Sequence, residues 1–201
     1  QQQDDCGPNY DQTCYNDGSV DPRGVRPALH PGLNRFNTPS LVEAADTAPF
    51  FHNNSVSTLE ETVAYYNTEA FNQSPGAFTS SGKNRQVKLD SSQVLAVALF
   101  LRSINVLENI RSANKLDEKA LNLRGKASDE MLKLAMAETE DAIQVLTEAV
   151  INPYPAALEK LKAAYALQKS ALSGFGFGKS KHLQKAISLR NEVRGLMVDE
   201  G

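Results

Sequence analysis

The sequence predicts a mainly α-helical protein whose C-terminal part is an antiparallel helical bundle. Apolar residues recur at helical spacing through most of the chain after Asp90. The amphipathic segments are joined by short connections, which place consecutive helices side by side in opposite directions. The 201 residues suffice for one core, or for one domain with a helical appendage. The contents of 41% hydrophobic and 22% charged residues are typical of a globular protein.

Residues 1–35 are predicted to be a loop-rich N-terminal segment. Turn signals such as Gly7-Pro8 follow one another closely, and few apolar side chains are present to form a core. Cys6 and Cys14 lie in this segment, at a spacing that fits neither a haem attachment motif nor the usual zinc knuckle. They form either a small disulfide, which implies an oxidising compartment, or two unrelated thiols.

The next segment, residues 36–88, is predicted to contain two short helices and a polar surface loop. Ser40 can cap a helix through Asp46, with Glu43 at the capping-box position. The second helix is predicted from Leu59 to Asn67. Either Ser57 or Thr58 caps it, and two glutamates follow in its first turn, where the helix dipole favours negative charge. The loop is predicted in the Gly- and Ser-rich stretch 72–88.

Four longer helices are predicted in the rest of the chain. Asp90 or Ser91 caps the first. The others are predicted from about Ser128 to Val150, from Pro155 to Ser173 and from about Lys179 to Val198. The apolar face of the first helix is predicted from helical spacing to consist of Val94, Val97, Ala98, Leu101, Ile104 and Leu107.

The charge balance narrows the class of partner. A net charge of −3 argues against a nucleic-acid binder, which usually carries a basic face.

No apolar run approaches the roughly 18 residues of a membrane span, and the most apolar window, Val94 to Leu101, leads directly into Arg102. No signal peptide is predicted. A start at Gln1 rather than Met suggests a processed chain or a fragment.

Three motifs in residues 36–63 carry a family resemblance. They are Phe36-Asn-Thr-Pro-Ser-Leu41, Thr47-Ala-Pro-Phe-Phe-His52 and Thr58-Leu-Glu-Glu-Thr-Val63. The segment of about residues 33–112 resembles the C-terminal haem domain of the bacterial di-haem cytochrome c peroxidases and their MauG-like relatives. The sequence has no Cys-x-x-Cys-His, so the resemblance implies that haem c is carried by a region or chain outside this sequence.

The resemblance implies that Tyr66 is an axial haem ligand. In the family, the helix after the Thr-Leu-Glu-Glu element brings Met or, in MauG-like members, Tyr to the iron. Oxygen ligation favours ferric and higher oxidation states, whereas a thioether favours reduced iron. The alternative is that Tyr65 or Tyr66 only packs the helix against the core.

The resemblance also implies a calcium site at the backbone carbonyls of Thr47 and Pro49. Calcium accepts neutral carbonyl oxygens and waters readily. The alternative is an ordinary extended turn set by Pro49. His52 is expected either to contact a ligand residue or to stabilise a turn, because the family's proximal His belongs to the missing haem motif. A further departure is Val42, where the family often has an Arg that pairs with a haem propionate.

The remaining chemically suggestive residues are interpreted as structural. His30 and His182 have no Cys or His at metal-ligand spacing and are expected at the surface. The stretch Gly174 to Ser180 lacks the first glycine and the preceding strand of a phosphate loop, so it is predicted to connect two helices. The carboxylates Glu138, Glu140, Asp141 and Glu148 lack the Glu-x-x-His pairs of a di-metal bundle and are predicted to form a solvated face.

Together these observations predict three regions: the N-terminal segment 1–35, part of a haem domain at 36–113, and a helical bundle extension at 114–201. The resemblance implies a periplasmic or secreted peroxidase-like oxidoreductase that reacts with hydrogen peroxide once it is assembled with its haem-bearing part. The expected partners are that part and a redox protein or protein substrate. The alternative is a haem-free structural or interaction module of a larger assembly.

Overall fold

Six α-helices and one 3-10 turn, Ala44–Asp46, account for the regular structure of the described residues, which are 40–51, 53–73, 86–174 and 178–198 of a computed structural model. These residues contain no β-strand, and the one β-bridge among them joins Phe50 to Val56. The helices are α1 (Leu59–Tyr65), α2 (Glu69–Asn72), α3 (Ser91–Asn122), α4 (Gly125–Thr147), α5 (Pro155–Ser173) and α6 (Lys179–Val198).

Helices α3 to α6 pack as the predicted bundle. Each contacts the next along the chain, and α6 also contacts α3, which closes the four-helix bundle. The bounds of α5 and α6 agree with the prediction, whereas α4 begins and ends three residues earlier than expected. The mainly helical class and the bundle are therefore confirmed. The predictions for residues 1–35, including Cys6, Cys14 and His30, lie outside the described residues.

Local side-chain caps fix where α1 and α3 begin. The Thr58 hydroxyl accepts the Glu61 backbone N–H at 3.1 Å. Asp90 and Gln93 form a capping box, in which each side chain accepts a backbone N–H of the other. Such caps satisfy N–H groups that have no partner inside the helix. Of the alternatives left open by the sequence, Thr58 rather than Ser57 and Asp90 rather than Ser91 are the caps.

The prediction of a helix between Ser40 and Asp46 is wrong. Only the 3-10 turn forms there, and the Ser40 hydroxyl accepts the Val42 N–H instead of capping a helix. Glu43 has a left-handed backbone with φ of 64°, and its side chain makes no capping bond. A helix cannot pass through a residue in that conformation, which explains why it shortens to a turn.

The motif segment packs on the bundle through apolar residues. Ala45, Phe50, Leu59 and Val63 are buried in the same core cluster as Val106 and other bundle residues. Both the 3-10 turn and α1 contact α3. The residues around the motifs therefore share a core with the bundle, and α3 runs without a break across residues 113 and 114. The division into a haem-domain part and an extension stays a prediction.

The buried face of α3 agrees only in part with the predicted one: Ala98 is buried, and Val94, Leu101 and Leu107 pack against the core. Val97 is 40% exposed and Phe100 is 60% exposed, whereas Arg102 and Asp117 are buried. The polar side chains turn inward because they find partners on other helices and on the motif segment. The residues of α3 that are buried are Ala98, Arg102, Asn105, Val106, Asn109, Ile110, Ala113, Asp117 and Ala120.

Among the described helices, α3 alone is long and apolar enough to meet the length and composition of a membrane span. Core helices of globular proteins meet the same criterion. The inward side of α3 carries paired polar groups and contacts α4 and α6. Composition alone therefore does not establish a span.

Candidate functional site

The candidate site is the motif segment, which begins with a tight turn around Pro49. The Ala48–Pro49 peptide bond is cis, and the Phe50 N–H donates to the Val56 carbonyl at 2.7 Å. Phe50 is buried, so this bond fixes the turn to the core. A cavity of about 200 Å³ lies beneath the turn, lined in part by Ala48, Leu59 and Arg102. It is smaller than the roughly 300–1,000 Å³ typical of ligand pockets.

Helix α1 is held in place by an ion pair with the bundle. The Arg102 guanidinium on α3 donates to both carboxylate oxygens of Glu60 at 3.0–3.2 Å. Arg102 is buried and also donates to the Val145 carbonyl of α4 at 3.4 Å. A two-point arginine–carboxylate contact fixes orientation as well as distance. Glu60 thus fixes the Leu-Glu-Glu element against both α3 and α4.

Asn105 attaches the 3-10 turn to α3 in a similar way. Its side-chain oxygen accepts the Ala45 N–H at 3.0 Å, and its side-chain nitrogen donates to Asp46 at 2.6 Å. The same nitrogen donates to Asn109 one turn further along α3. Sequence reasoning missed Arg102 and Asn105. The available signal was their spacing with Asn109, which places the three on one helical face.

Two asparagines bind the extended chain before α3. Asn67 accepts the Leu89 N–H and donates to the Leu89 carbonyl, both at 2.7 Å. Asn72 makes the equivalent pair of bonds with Val87, at 2.8 and 3.0 Å. Each side-chain amide forms the pair of hydrogen bonds that a backbone residue of a neighbouring β-strand would form. The two contacts set the position of the chain that follows α1 and α2. The residues between 73 and 86, where part of the polar loop is predicted, lie outside the described residues.

Tyr66 lies directly after α1, in a cluster of four aromatic rings. Its ring centroid lies 4.8 Å from that of Phe71 and 5.9 Å from that of Tyr65, and Phe51 completes the cluster. Tyr65 and Tyr66 are 39% and 41% exposed, so both side chains are in part accessible to solvent. No hydrogen bond to the Tyr66 hydroxyl is present among the described residues. The cluster therefore combines ring packing with a partly exposed side chain, and the assignment of Tyr66 as a haem ligand stays a prediction.

The carbonyls proposed for calcium lie at the start of the Pro49 turn. The Thr47 hydroxyl donates to the Ala44 carbonyl at 2.9 Å, which turns the side chain back towards the 3-10 turn. Neither the Thr47 nor the Pro49 carbonyl accepts a hydrogen bond from another described residue. The described residues contain no group of three or more metal-ligating His, Cys, Asp or Glu side chains. The calcium site stays a prediction, and His52 lies outside the described residues.

Two of the α4 carboxylates lie close to the motif segment and are partly buried. Burial raises the pKa of Asp141, and the negative charges of Asp46, Glu140 and Glu43 raise it further. Burial also raises the pKa of Glu138. The predicted solvated face is therefore only half-exposed at these two residues, because the 3-10 turn packs against this side of α4.

A second polar group lies at the centre of the bundle. Arg190 on α6 pairs with Asp117 on α3 and donates to Thr139 on α4 at 3.1 Å, while Gln168 on α5 donates to Asp117 at 3.0 Å. All four side chains are fully buried. Burial raises the pKa of Asp117, although the neighbouring Arg190 charge opposes the change. Arg190 also donates to Asn114 on α3 at 2.8 Å, so all four helices contribute to a network that the apolar pattern did not predict.

One comparison with known proteins gives a match. Over 79 residues the chain is 32% identical to the cytochrome-c peroxidase IdrP1 of Denitromonas iodatirespirans. The match covers 38% of this chain and 19% of that protein. The chain thus spans about a fifth of the length of this curated relative. No family model and no solved structure matches the chain. The match supports a cytochrome c peroxidase-like origin for part of the chain.

Proposed function

We propose that this chain is the C-terminal portion of a di-haem c-type peroxidase-like oxidoreductase that reacts with hydrogen peroxide and transfers electrons. The similarity to a cytochrome c peroxidase carries the proposal. The haem attachment residues lie in an upstream region or in a separate chain. The motif segment contributes one wall of a haem pocket, and the bundle holds that wall rigid through Glu60 and Asn105.

In this proposal Tyr66 provides an axial oxygen ligand. Its phenol is exposed, and it follows a helix that is fixed by the Glu60–Arg102 ion pair. Those properties suit a donor to an iron atom carried by another part of the protein. When bound, the haem would supply the peroxide chemistry, and a hard oxygen ligand would favour its oxidised states. A tyrosine at this position favours a MauG-like protein over a typical peroxidase.

The remaining parts of the proposal follow from the same assignment. The electron donor or target is a small redox protein or a side chain on a partner protein. A c-type peroxidase of this kind works in the periplasm or after secretion. The carbonyls of Thr47 and Pro49 bind calcium together with ligands from the haem-bearing part, which supplies the charge and coordination number that two carbonyls lack.

The test is whether the complete native protein contains haem. The protein is purified from the producing cells, its intact mass is measured, and its absorption spectrum and iron content are recorded before and after addition of hydrogen peroxide. We expect a Soret band that changes on addition of peroxide, with covalently attached haem in the mass. A colourless protein without haem iron in any chain would refute the proposal.

A haem-free structural or interaction module is the second candidate. The observation that favours it is the bundle, to whose buried residues all four long helices contribute. On this view the bundle docks on a larger assembly and the motif segment is a remnant. The colourless outcome of the same spectrum supports this candidate.

A further inference from the structure

Two buried oxygen atoms at the centre of the bundle accept no hydrogen bond from any described residue. They are Oδ1 of Asp117 on α3 and the side-chain oxygen of Gln168 on α5. Both side chains are fully buried. An acceptor that is buried without a donor costs free energy, because it has lost its hydrogen bonds to water. The two side chains already contact each other, so a single donor between the two oxygens would satisfy both residues.

Both donors to Asp117 reach its other oxygen, Oδ2. Arg190 on α6 donates to it, and the side-chain nitrogen of Gln168 donates to it at 3.0 Å. This contact fixes the orientation of the Gln168 amide, because the reverse orientation would place the amide oxygen against the carboxylate oxygen. The two unpaired oxygens therefore follow from the positions of their neighbours, and turning the amide over does not remove them.

A proton is the donor that suits this place. A carboxylic acid and a primary amide can form two hydrogen bonds side by side, one from the amide N–H and one from the acid O–H. The first of these bonds joins Gln168 to Asp117. The second needs no further molecule, whereas a water occupies about 30 Å³ in the liquid, and both oxygens are closed to solvent. The terminal torsions of the two side chains have broad minima, so a small rotation aligns the O–H with the amide oxygen.

We propose that Asp117 is a proton-binding site inside the folded bundle. On acidification a proton from solvent binds Oδ1 and is donated to the side-chain oxygen of Gln168, so the ion pair with Arg190 becomes a hydrogen bond to a neutral acid. Arg190 keeps its acceptors, which are Oδ2 of Asp117, Asn114 and Thr139. The contact between α3 and α5 gains a bond, and the contact between α3 and α6 loses a charge interaction. This device works with or without haem.

The surroundings of Asp117 favour uptake of the proton. Burial raises the pKa of Asp117, and the positive charge of Arg190 on α6 offsets only part of that change. Thr139 from α4 and Gln168 from α5 are uncharged, and among the described residues Arg190 is the charged group that acts on Asp117. A carboxyl group whose pKa is raised by folding stabilises the protein while it is protonated and loses that contribution as pH rises through the folded pKa. The centre of the bundle should therefore be held more firmly in acid than at neutral pH.

NMR of the complete protein, isotope-labelled in its aspartate carboxyl and glutamine carboxamide groups, tests the proton site. The Asp117 and Gln168 signals are assigned through bonds in the unsubstituted protein and followed as pH is lowered. Asp117→Asn imitates the protonated state, because its side-chain nitrogen can donate to Gln168 while its oxygen accepts from Arg190. The matched control is Asp129→Asn, which removes a partly exposed carboxylate that pairs with Lys179 at 2.8 Å. Hydrogen exchange of the α3 and α5 amides is measured in all three proteins at each pH.

We expect the Asp117 carboxyl to titrate above about pH 3.9, the ordinary value for aspartate, with a shift of the Gln168 signal at the same midpoint. Amide exchange near Asp117 in the unsubstituted protein should slow several-fold relative to Asp117→Asn as the pH falls through that midpoint, and Asp129→Asn should retain this slowing. An Asp117 carboxyl that stays ionised until the protein unfolds would overturn the proposal, and a water bridging the two oxygens gives that result. A titration of Asp117 that leaves the Gln168 signal unchanged would overturn it as well. The titration is read in the unsubstituted protein, so it decides the question even if Asp117→Asn does not fold.

Discussion

Arg190 on α6 and Asp117 on α3 form an ion pair at the centre of the bundle, and neither side chain reaches solvent. Thr139 and Gln168 bind the pair from the two other long helices, and Asn114 on α3 accepts a further hydrogen bond from Arg190. One carboxylate oxygen of Asp117 and the side-chain oxygen of Gln168 have no donor within the described residues. A buried charge of this kind costs a large desolvation energy, so the pair adds little net stability while each partner depends strongly on the other.

Removal of the side chain of either Asp117 or Arg190 should therefore strongly lower the free energy of unfolding. We expect Asp117→Ala to lower the free energy of unfolding by about 3–5 kcal/mol, because it leaves the Arg190 charge buried without a counter-ion. The combined variant Asp117→Leu with Arg190→Met should cost less than the sum of its single changes. Urea unfolding followed by circular dichroism measures all of them.

The control for this prediction is Glu130→Ala, which removes an exposed ion pair with Lys133. It should change the unfolding free energy by less than about 1 kcal/mol, as for other surface pairs. If Asp117→Ala costs no more than Glu130→Ala, the central ion pair does not form in the folded protein.

The contact between Glu60 and Arg102 gives a second prediction. Glu60→Gln should lower stability by about 1–3 kcal/mol, because the buried guanidinium loses its carboxylate partner. Glu61→Gln is the matched control, since it removes the same charge from the same helix turn, yet Glu61 is exposed and has no contact with Arg102. Hydrogen exchange of the α1 amides should rise more for Glu60→Gln than for Glu61→Gln. Equal exchange in both variants would show that the helix dipole, and not Arg102, holds α1.

The raised pKa of Asp141 gives a prediction about pH. A carboxyl group whose pKa is higher in the folded than in the unfolded protein favours folding while it is protonated, and it loses that contribution as pH rises through the folded pKa. Asp141→Asn should therefore stabilise the protein at neutral pH by a few tenths of a kcal/mol, since solvent screening reduces the effect at a half-buried site. The gain should vanish below about pH 4, where unfolded aspartate is also protonated.

Thermal unfolding at a series of pH values measures the Asp141 effect. Glu159→Gln is the control, because Glu159 is exposed and belongs to a surface pair with Lys162 on α5. Its change in melting temperature should be small at every pH. A loss of stability in Asp141→Asn at neutral pH would mean that the carboxylate makes a favourable contact that outweighs its burial and the negative charges around it.

The features that the sequence predicted well depend on near neighbours in the chain. The caps at Thr58 and Asp90 are examples, because each bonds to an N–H within three residues. The polar residues on the inward face of α3 were not predicted, because their partners lie far away in sequence. Glu60 and Arg102 are 42 residues apart, and Asp117 and Arg190 are 73 apart. Helical spacing alone therefore identified Ala98, Val94, Leu101 and Leu107, which are buried or pack against the core, but it also assigned the exposed Val97 to that face.

In the candidate site, too, only features that depend on near neighbours in the chain were predicted. The motif that places Tyr66 at the end of α1 is local, and the structure has that residue where the helix ends. The ion pair and the asparagine contacts that fix this helix join residues 15 to 60 positions apart. They could be located only once the fold had brought those residues together.

The last prediction concerns the two exposed tyrosines. In the complete haem-containing protein, Tyr66→Phe should shift the Soret band and slow the response to hydrogen peroxide, because phenylalanine has no oxygen to bind iron. Tyr65→Phe is a closely matched control, since Tyr65 has nearly the same exposure and packs in the same aromatic cluster. Circular dichroism should show that both variants remain folded. An unchanged spectrum in Tyr66→Phe would remove it from the ligand role, and a shift in Tyr65→Phe alone would transfer that role to its neighbour.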